Sequence, residues 1–299
     1  MVKTYDLLAR WSQKLYSLNK NAIYSAIQRR NGKWRHIPAV DLPSIVQAEA
    51  HCCFVLSTGR CGTELLTRIL EKCPNVDVQH QPTPELIYLS KLAYWEAEDR
   101  SGCMKLAAFH ARYDIIEDCY IRNVIYVETN NRITFYAPYL AELFPNAQFI
   151  HLIRHPGDFV RSGLRRGYYV GSDTDRGRIV PHKNSSIAQQ WLLMSQIEKI
   201  AWLWNETNSY IEVFKNNVPT RKIMSVRAED LFSNVTVTEK ICEFIGVKPP
   251  THKWIGKRIA KPTNIQLTGN ISDFTKWPEE KRELLRKWTP LAQHYEYII

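Results

Sequence analysis

The residues best suited to chemistry lie in a short glycine turn between an apolar run and a helical pattern. Gly59 and Gly62 enclose Arg60 and Cys61, and Thr63 supplies a hydroxyl where the helical pattern begins. A turn of this kind before a helix directs backbone N–H groups at an anion. An arginine adds a planar fork that matches phosphate or sulfate oxygens. The turn therefore predicts a site for a phosphate or sulfate group.

The flanking residues indicate how this turn is held. Residues 52–56 form a short apolar run, typical of a buried strand in a parallel sheet, and residues 63–72 carry apolar side chains at helical spacing. The turn does not match a nucleoside-triphosphate loop, because that motif places lysine before its serine or threonine, and Gly62 stands before Thr63. On this stretch alone, an ordinary glycine turn of an α/β protein remains an open alternative.

A second stretch, residues 148–164, indicates another anion site. Residues 149–153 have the composition of a strand, Arg154 stands at its carboxyl end, and Ser162 lies in the helix that begins near Pro156. Open α/β sheets bind ligands at the carboxyl ends of their strands. A second strand end of this kind in the same chain weakens the interpretation as an ordinary turn.

Together the two stretches resemble the donor-binding signatures of sulfotransferases that use 3′-phosphoadenosine 5′-phosphosulfate (PAPS). Residues 58–63 look like the 5′-phosphosulfate loop of that family, with Cys61 where serine is common, and residues 152–162 look like its 3′-phosphate element. The resemblance implies an α/β fold with a central parallel sheet of about five strands flanked by helices, related to the P-loop proteins. It implies PAPS as donor, 3′,5′-adenosine diphosphate (PAP) as product, and a small-molecule acceptor sulfonated on a hydroxyl or amine.

The same resemblance assigns roles to individual residues. The glycine turn would bind the 5′ end of the donor, Arg154 and Ser162 would bind the 3′-phosphate, and later segments would line the nucleotide site. The implied donor-binding residues are Gly59, Arg60, Cys61, Gly62, Thr63, Glu64, Arg154, Ser162, Arg227, Lys261 and Asn264. Arg60 stands where the family often has lysine, and it would act as a charge clamp because arginine does not readily give up its proton.

The general base stays open between two residues that follow the second predicted strand, where the family implies a base. Glu85 is slightly favoured, because the Pro-Thr-Pro-Glu arrangement resembles the acceptor side of some bacterial members, and His80 is the alternative. Each also has a structural explanation, His80 as a strand end and Glu85 in a first helical turn, where acids are common. Cys61 is disfavoured as a nucleophile, because no partner triad is evident.

Composition limits the classes of protein. The net charge is +10 and the isoelectric point about 9.2, which favours anionic ligands without choosing among them. Seven cysteines without a Cys-x-x-Cys motif indicate thiols in a reducing compartment, and we therefore predict a cytoplasmic protein. No apolar run is long enough to span a membrane, so the chain resembles the soluble rather than the Golgi-anchored sulfotransferases. Metal-ligand spacing is absent, and we expect no metal.

We predict a single domain over residues 1–299, with residues 1–50 as a basic helical extension that packs on the core. Residues 1–36 hold eight Lys or Arg and one acid, with apolar side chains at helical spacing. A membrane-surface or acceptor-recognition role for this helix is the alternative. The acceptor pocket itself would be built from residues 1–50, 80–122 and 165–185.

The remaining patterns complete an alternation of strands and helices. Further strands are predicted at residues 76–79, 124–128 and 222–226. Helices are predicted from Thr83, with Pro84 in first position, to about residue 99, and at residues 138–144, 186–216, 236–245 and 282–288. Residues 168–183 form a long loop of the kind that serves as a lid or is disordered.

Two other functions remain as alternatives to sulfonate transfer. The first is an ATP-dependent phosphotransferase, which predicts Mg²⁺ dependence and a lysine in the phosphate loop. The second is a nucleic-acid-binding protein that uses the basic N-terminal helix, which predicts salt-sensitive binding without turnover. The aromatic signatures of single-strand binding are absent, and we expect no nucleic-acid partner.

Overall fold

A parallel sheet of five strands forms the centre of the protein, of which a computed structural model describes residues 41–95, 102–171, 173–261 and 271–299. The strand order is β2-β3-β1-β4-β5, and every adjacent pair is parallel. All five carboxyl ends therefore meet at one edge. The strands are β1 (Cys52–Leu56), β2 (Val76–Gln79), β3 (Ile125–Glu128), β4 (Gln148–Ile153) and β5 (Ile223–Arg227).

Helices cover both faces of this sheet, as expected for parallel strands joined by helical crossovers. In chain order the described α-helices are α1 (Leu42–Glu49), α2 (Thr63–Leu70), α3 (Ile87–Trp95), α4 (Cys103–Ile121), α5 (Ala137–Leu143), α6 (Pro156–Arg165), α7 (Gln196–Lys215), α8 (Ala228–Ser233), α9 (Val235–Ile245), α10 (His252–Ile259) and α11 (Glu279–Trp288).

Strand β1 is buried over its whole length, between β3 and β4. Its side chains alternate between two apolar cores, as the period of a strand requires. Phe54 packs on one face with Tyr126, and Val55 packs on the other with Val127 and Ile150. The strand with the strongest apolar pattern is therefore the central one, and its carboxyl end lies in the middle of the ligand-binding edge.

The predicted α/β fold with a parallel sheet of five strands is confirmed. Each predicted strand matches an observed one within a residue at either end. The predicted helix over residues 1–36 and the predicted donor residue Asn264 lie outside the described residues. The extent of the domain over residues 1–299 stays a prediction.

Two predicted helix starts are too early, and a third, at residue 282, is three residues too late because α11 begins at Glu279, directly after Pro278. The helix predicted from Thr83 begins at Ile87, because Leu86 has a φ of 59° in the left-handed region and a right-handed helix cannot continue through it. The helix predicted from residue 186 begins at Gln196. There Ser195 and Glu198 form a capping box, which satisfies the first N–H groups and defines the start.

Helix α4 was not among the predicted elements, although it has 19 residues. Its side of the core contains a charged residue: Arg112 is fully buried and forms a two-pronged ion pair with the equally buried Glu128, at 2.6 and 2.8 Å. The same guanidinium donates to the carbonyl of Pro84 at 3.0 Å. A buried arginine interrupts the apolar pattern from which helices are predicted, yet here it ties α4 to β3 and to the β2–α3 loop.

Composition predicted thiols and no membrane-spanning segment, and the described residues can be compared with both predictions. All seven cysteines are thiols, and Cys103 is exposed whereas the others are buried. None of the described helices combines the length and the apolar character needed to cross a bilayer.

Candidate active site

The carboxyl edge of the sheet carries a polar cavity of about 320 Å³. Residues that follow three of the five strands line it. The turn at residues 57–60 follows β1, His80 and Gln81 follow β2, and Asn131 and Arg132 follow β3. Two more segments, residues 166–168 and 177–179, reach the same cavity from the loop after α6. The sheet topology therefore brings the first predicted anion site and one candidate base, His80, to the same edge.

The glycine turn after β1 adopts the conformation its residues suggest. Gly59, Arg60 and Gly62 have φ angles of 76°, 58° and 90°, all in the left-handed region. A Cβ atom at Gly59 would lie 3.2 Å from the Asn131 side chain, so the backbone is closely packed there. Thr134 fixes the start of the turn, because its hydroxyl accepts from the Ser57 N–H at 3.0 Å and donates to the Ser57 carbonyl at 3.1 Å.

Helix α2 begins directly at this turn without a side-chain cap. Its N-cap is Gly62, so the first N–H groups of the helix have no side-chain acceptor from that position. A Cβ atom there would come within 2.5 Å of the Phe232 ring, so a larger residue would displace that ring. An uncapped helix start after a left-handed turn suits a phosphate or sulfate group. Thr63, the first helical residue, lines the cavity.

Cys61 is fully buried beneath the turn. Its Sγ donates to the Gly59 carbonyl at 3.0 Å and lies 3.2 Å from the Thr58 hydroxyl. Burial raises the pKa of the thiol to about 11, so it stays protonated at neutral pH. The geometry agrees with the prediction that Cys61 is not a nucleophile, because a nucleophilic cysteine needs an accessible thiolate.

The two predicted anion sites contact each other. Arg60 Nε donates to the Ser162 hydroxyl at 3.3 Å, and Arg154 Nη1 donates to the Arg60 carbonyl at 2.8 Å. Burial, together with the charge of the nearby Arg166, lowers the pKa of Arg60. Arg154 Nε is buried and has no hydrogen-bond partner among the described residues. Two arginines and a hydroxyl thus converge beside the uncapped helix start, with donor capacity left for an anion.

Arg227 ends β5 at the same edge of the sheet, where it contacts Tyr297 and lies near His155. The Arg227 guanidinium lies 4.5 Å from the centre of the Tyr297 ring, and the Tyr297 hydroxyl donates to Glu229 at 2.8 Å. His155 Nδ1 accepts from the Gly157 N–H at 3.1 Å, so Nε2 is the nitrogen that donates to the Ile298 carbonyl at 2.9 Å. Both nitrogens of His155 are therefore engaged in structural contacts.

His80 lines the cavity and is held by a ladder of threonine hydroxyls. Thr67 Oγ1 donates to the Thr63 carbonyl at 2.8 Å, so the 2.6 Å contact between Thr67 and Thr129 must use the Thr129 proton. The Thr129 oxygen then accepts from His80 Nδ1 at 2.9 Å. This order of donors leaves the lone pair on His80 Nε2. Partial desolvation of the ring lowers the pKa of His80, so the imidazole is neutral at pH 7.

Glu85 has a different setting. Its side chain is 43% exposed, pairs with Arg132, and is not among the described residues that line the cavity. Glu64 does line the cavity and pairs with Arg68 on the next turn of α2. Of the two candidate bases, His80 is the one that reaches the cavity directly.

Two predicted donor residues remain, Lys261 and Asn264. Lys261 is exposed after α10 and is not among the described residues that line the cavity. Asn264 belongs to residues 262–270, which the structure does not describe.

Sequence reasoning missed several residues that line the cavity. Asn131 and Arg132 lie outside every predicted site segment. Arg166, Tyr168 and Arg178 lie within residues 165–185, which were expected to contribute to the acceptor pocket, but none of the three was singled out. One signal was present: a polar run, Thr129-Asn-Asn131, directly follows a predicted strand, where open sheets bind ligands. The arginines of the 166–178 segment carry no comparable local signal.

A group of possible metal ligands lies at β2 and α4. Asp77, Asp118 and Cys119 have ligand atoms within 4.8 Å of one another. Arg122 donates to Asp118 at 2.8 Å and to Asp77 at 2.5 Å, so a guanidinium stands where a cation would balance these carboxylates. The arrangement is a structural ion-pair cluster.

Comparison with known proteins agrees with the resemblance. A family model described as the sulfotransferase family matches residues 53–251. A sulfotransferase structure from Alicyclobacillus acidocaldarius is similar at 14% identity, with 84% of this chain and 98% of that chain covered and a TM-score of 0.50, which shows a shared fold. The sulfotransferase domain of the Synechococcus PCC 7002 olefin synthase gives 16% identity, 89% and 99% coverage and a TM-score of 0.49. A mouse sulfotransferase in complex with PAP is 12% identical, with 87% of this chain and 94% of that chain covered and a TM-score of 0.45. No curated protein sequence matches the chain.

Proposed function

The chain belongs to the sulfotransferase family, and we propose that it transfers a sulfonate group from PAPS to a hydroxyl or amine of a small-molecule acceptor. The observation that carries the proposal is the contact between the two predicted signatures. Arg60 of the glycine turn meets Ser162 of α6, and Arg154 holds the backbone of Arg60, all beside the uncapped start of α2. Two anion sites in contact suit a donor with phosphates at both its 3′ and 5′ positions.

The residues present fit such a donor. Arg154 Nε and Arg227 Nε are buried without hydrogen-bond partners among the described residues, and both stand at strand ends of the ligand-binding edge. Arg154 and Ser162 would hold the 3′-phosphate. Gly59, Arg60, Cys61, Gly62, Thr63 and Glu64 would hold the 5′ end through backbone N–H groups and the Thr63 hydroxyl.

In the proposed reaction, the acceptor atom forms a bond to sulfur in line with the sulfur–oxygen bond that breaks. Bound PAPS supplies a sulfonate group on a phosphate leaving group, so that the products are the sulfonated acceptor, PAP and a proton. Arg60 and the N–H groups at the start of α2 stabilise the charge that develops on the leaving oxygen, and they are oriented before the reaction begins.

His80 is the proposed general base, in place of the slightly favoured Glu85. Its Nε2 lone pair is set by the ladder through Thr129 and Thr67, and its lowered pKa keeps the ring neutral at pH 7. His80 takes the proton from the acceptor hydroxyl or amine as the new bond to sulfur forms. Glu85, paired with Arg132, would act on the acceptor side only through that arginine.

Binding of PAP by calorimetry tests the proposal, with ATP and AMP as competitors and with or without Mg²⁺. We expect preference for PAP without a metal requirement. A Mg²⁺-dependent preference for ATP would instead support the phosphotransferase alternative, against which family membership and the lack of a loop lysine already argue. The cytoplasmic location and the lack of a nucleic-acid partner stay predictions.

A further inference from the structure

The acceptor side of the cavity is cationic. Four arginines line it, whereas Glu64 is the single carboxylate among its described lining residues. Arg60 belongs to the donor turn. Arg132, Arg166 and Arg178 come from segments outside both donor signatures, one after β3 and two after α6. The donor-binding roles proposed above do not use these three side chains.

Arg178 is held in a defined plane. Its guanidinium lies 3.6 Å from the centre of the Tyr168 ring and pairs with Asp175. Asp175 also accepts from the N–H groups of Tyr169 and Gly171, both at 2.9 Å, so it anchors the loop as well as the arginine. Stacking on an aromatic ring orients a guanidinium fork, and a fixed fork binds oxyanions in a two-pronged manner.

Arg132 has a weaker internal partner. The backbone of Arg132 is fixed after β3, because its N–H donates to Asn130 Oδ1 at 3.1 Å. Its carboxylate partner Glu85 is 43% exposed, whereas Arg132 is 25% exposed. Ion pairs with an exposed carboxylate contribute little to stability, because solvent screens them. Arg132 can therefore exchange Glu85 for a carboxylate, phosphate or sulfate group of a ligand at small cost.

Clustered guanidinium groups in a partly enclosed cavity repel one another. The lowered pKa of Arg60, caused by burial and by Arg166, is one sign of this repulsion. A cavity lined by one sign of charge concentrates ligands of the opposite sign. An anionic acceptor would relieve the repulsion, whereas a neutral acceptor would leave it in place.

We propose that the acceptor is an anion: an alcohol or amine that carries a carboxylate, phosphate or sulfate group, which Arg132 and Arg178 bind while His80 faces the reacting atom. The proposal rests on the proposed function and narrows it. At about 320 Å³ the cavity is small for a ligand site, so it takes the reacting unit of the acceptor, of about one ring.

Matched pairs of acceptors test the charge requirement directly. The probes are methyl β-glucuronide against methyl β-glucoside, 4-hydroxybenzoate against 4-hydroxybenzamide, and glucose 6-phosphate against glucose. Binding of each to the protein saturated with PAP is measured by calorimetry, and transfer from PAPS is measured in parallel. We expect the charged member of at least one pair to bind at least about tenfold more tightly than its neutral partner. The first two pairs report a carboxylate and the third a phosphate.

Three variants separate the acceptor side from the donor side. Arg132→Gln and Arg178→Gln should reduce the charged-over-neutral preference by about tenfold each while PAP affinity stays unchanged. Arg221→Gln is the matched control. Arg221 is exposed in the 3-10 helix Thr220–Lys222, which precedes β5 and so lies at the end of that strand remote from the cavity. This variant should change neither quantity.

The outcomes distinguish this inference from the function it rests on. Equal binding of charged and neutral members, or no binding of either, overturns the anionic acceptor even when PAP binds. A charged preference that survives in both variants overturns the assignment to Arg132 and Arg178. Failure to bind PAP at all would instead contradict the proposed sulfotransferase donor site.

Discussion

The donor and acceptor sides of the cavity are built in different ways. On the donor side, two continuous stretches supply the ligand-binding groups, and they contact each other directly: Arg154 binds the carbonyl of Arg60, and Arg60 binds the Ser162 hydroxyl. On the acceptor side, separate loops contribute single side chains, held by pairs such as Arg178 with Asp175 and Arg132 with Glu85.

This difference separates what must stay constant from what can vary. A site made of backbone N–H groups at a helix start binds the same anion with many different side chains around it. A site made of side-chain pairs on loops changes its ligand when one residue changes. The donor side is therefore expected to tolerate neighbouring substitutions, whereas the acceptor side sets specificity.

The largest loss of activity is expected from substitution of His80, which lies between the donor and acceptor sides. His80→Asn keeps an N–H donor near the position of Nδ1 but removes the basic Nε2. We expect kcat to fall by about 10²- to 10⁴-fold with PAP affinity unchanged. His110→Asn is the control, because His110 is exposed on α4. Unchanged kcat in His80→Asn would return the base to Glu85, for which Glu85→Gln is the corresponding test.

The donor side should respond next most strongly, through Arg60. Arg60→Ala removes the charge that faces the leaving phosphate, and we expect kcat to fall by about 10²- to 10³-fold. Steady-state kinetics at saturating PAPS measure this loss, and circular dichroism checks the fold. Arg221→Ala removes the same charge from an exposed position and should have no effect. Full activity in Arg60→Ala would contradict its role as a charge clamp.

Arg154 should affect binding more than chemistry. Arg154→Ala removes a charged donor to the 3′-phosphate, and we expect PAP affinity to fall by about 10- to 100-fold. AMP lacks the 3′-phosphate, so its affinity should change much less, and calorimetry with both nucleotides measures the difference. Equal losses for PAP and AMP would mean that Arg154 supports the turn, through the Arg60 carbonyl, rather than the phosphate.

The smallest effect is expected at Thr129, which touches the base but neither ligand. Thr129→Val removes the oxygen that accepts from His80 Nδ1 and should lower kcat by about tenfold, because the ring loses its fixed tautomer. Thr238→Val is the matched control, because Thr238 is equally buried and its hydroxyl has no partner among the described residues.

The pH profile distinguishes positioning from a merely structural role of Thr129. Catalysis needs neutral His80, and partial desolvation lowers the pKa of the ring below 6.5. The midpoint of the decline in activity on the acid side should therefore lie below pH 6.5. In Thr129→Val the midpoint of this decline should move, whereas a structural defect would lower the rate equally at every pH.

The fold could be predicted, and a donor side proposed, because the signals for both are local. Short apolar patterns marked the strands, most clearly β1 and least clearly β2, which Asp77 and Gln79 interrupt. The glycine turn and Arg154 lie at the ends of strands, where local patterns place them. The family itself followed from these two stretches and is confirmed.

On the acceptor side, residues 165–185 were expected to contribute, but the individual side chains could not be predicted because they meet only in the folded chain. Arg132 and Arg178 share no motif and no period. Helix α4 was not predicted for a related reason. Arg112 lies on its buried side, and the partner that makes this burial possible, Glu128, belongs to another element, β3. The choice of base also depended on tertiary contacts, since the hydroxyl ladder behind His80 links β3 to α2.

The burial of the cysteines has a practical consequence for labelling. Six thiols lie inside the protein and Cys103, at the start of α4, is the exposed one. A maleimide dye should therefore attach to native protein at that residue without any prior mutagenesis. The label would lie on the helix that Arg112 ties to the Pro84 carbonyl in the loop after His80.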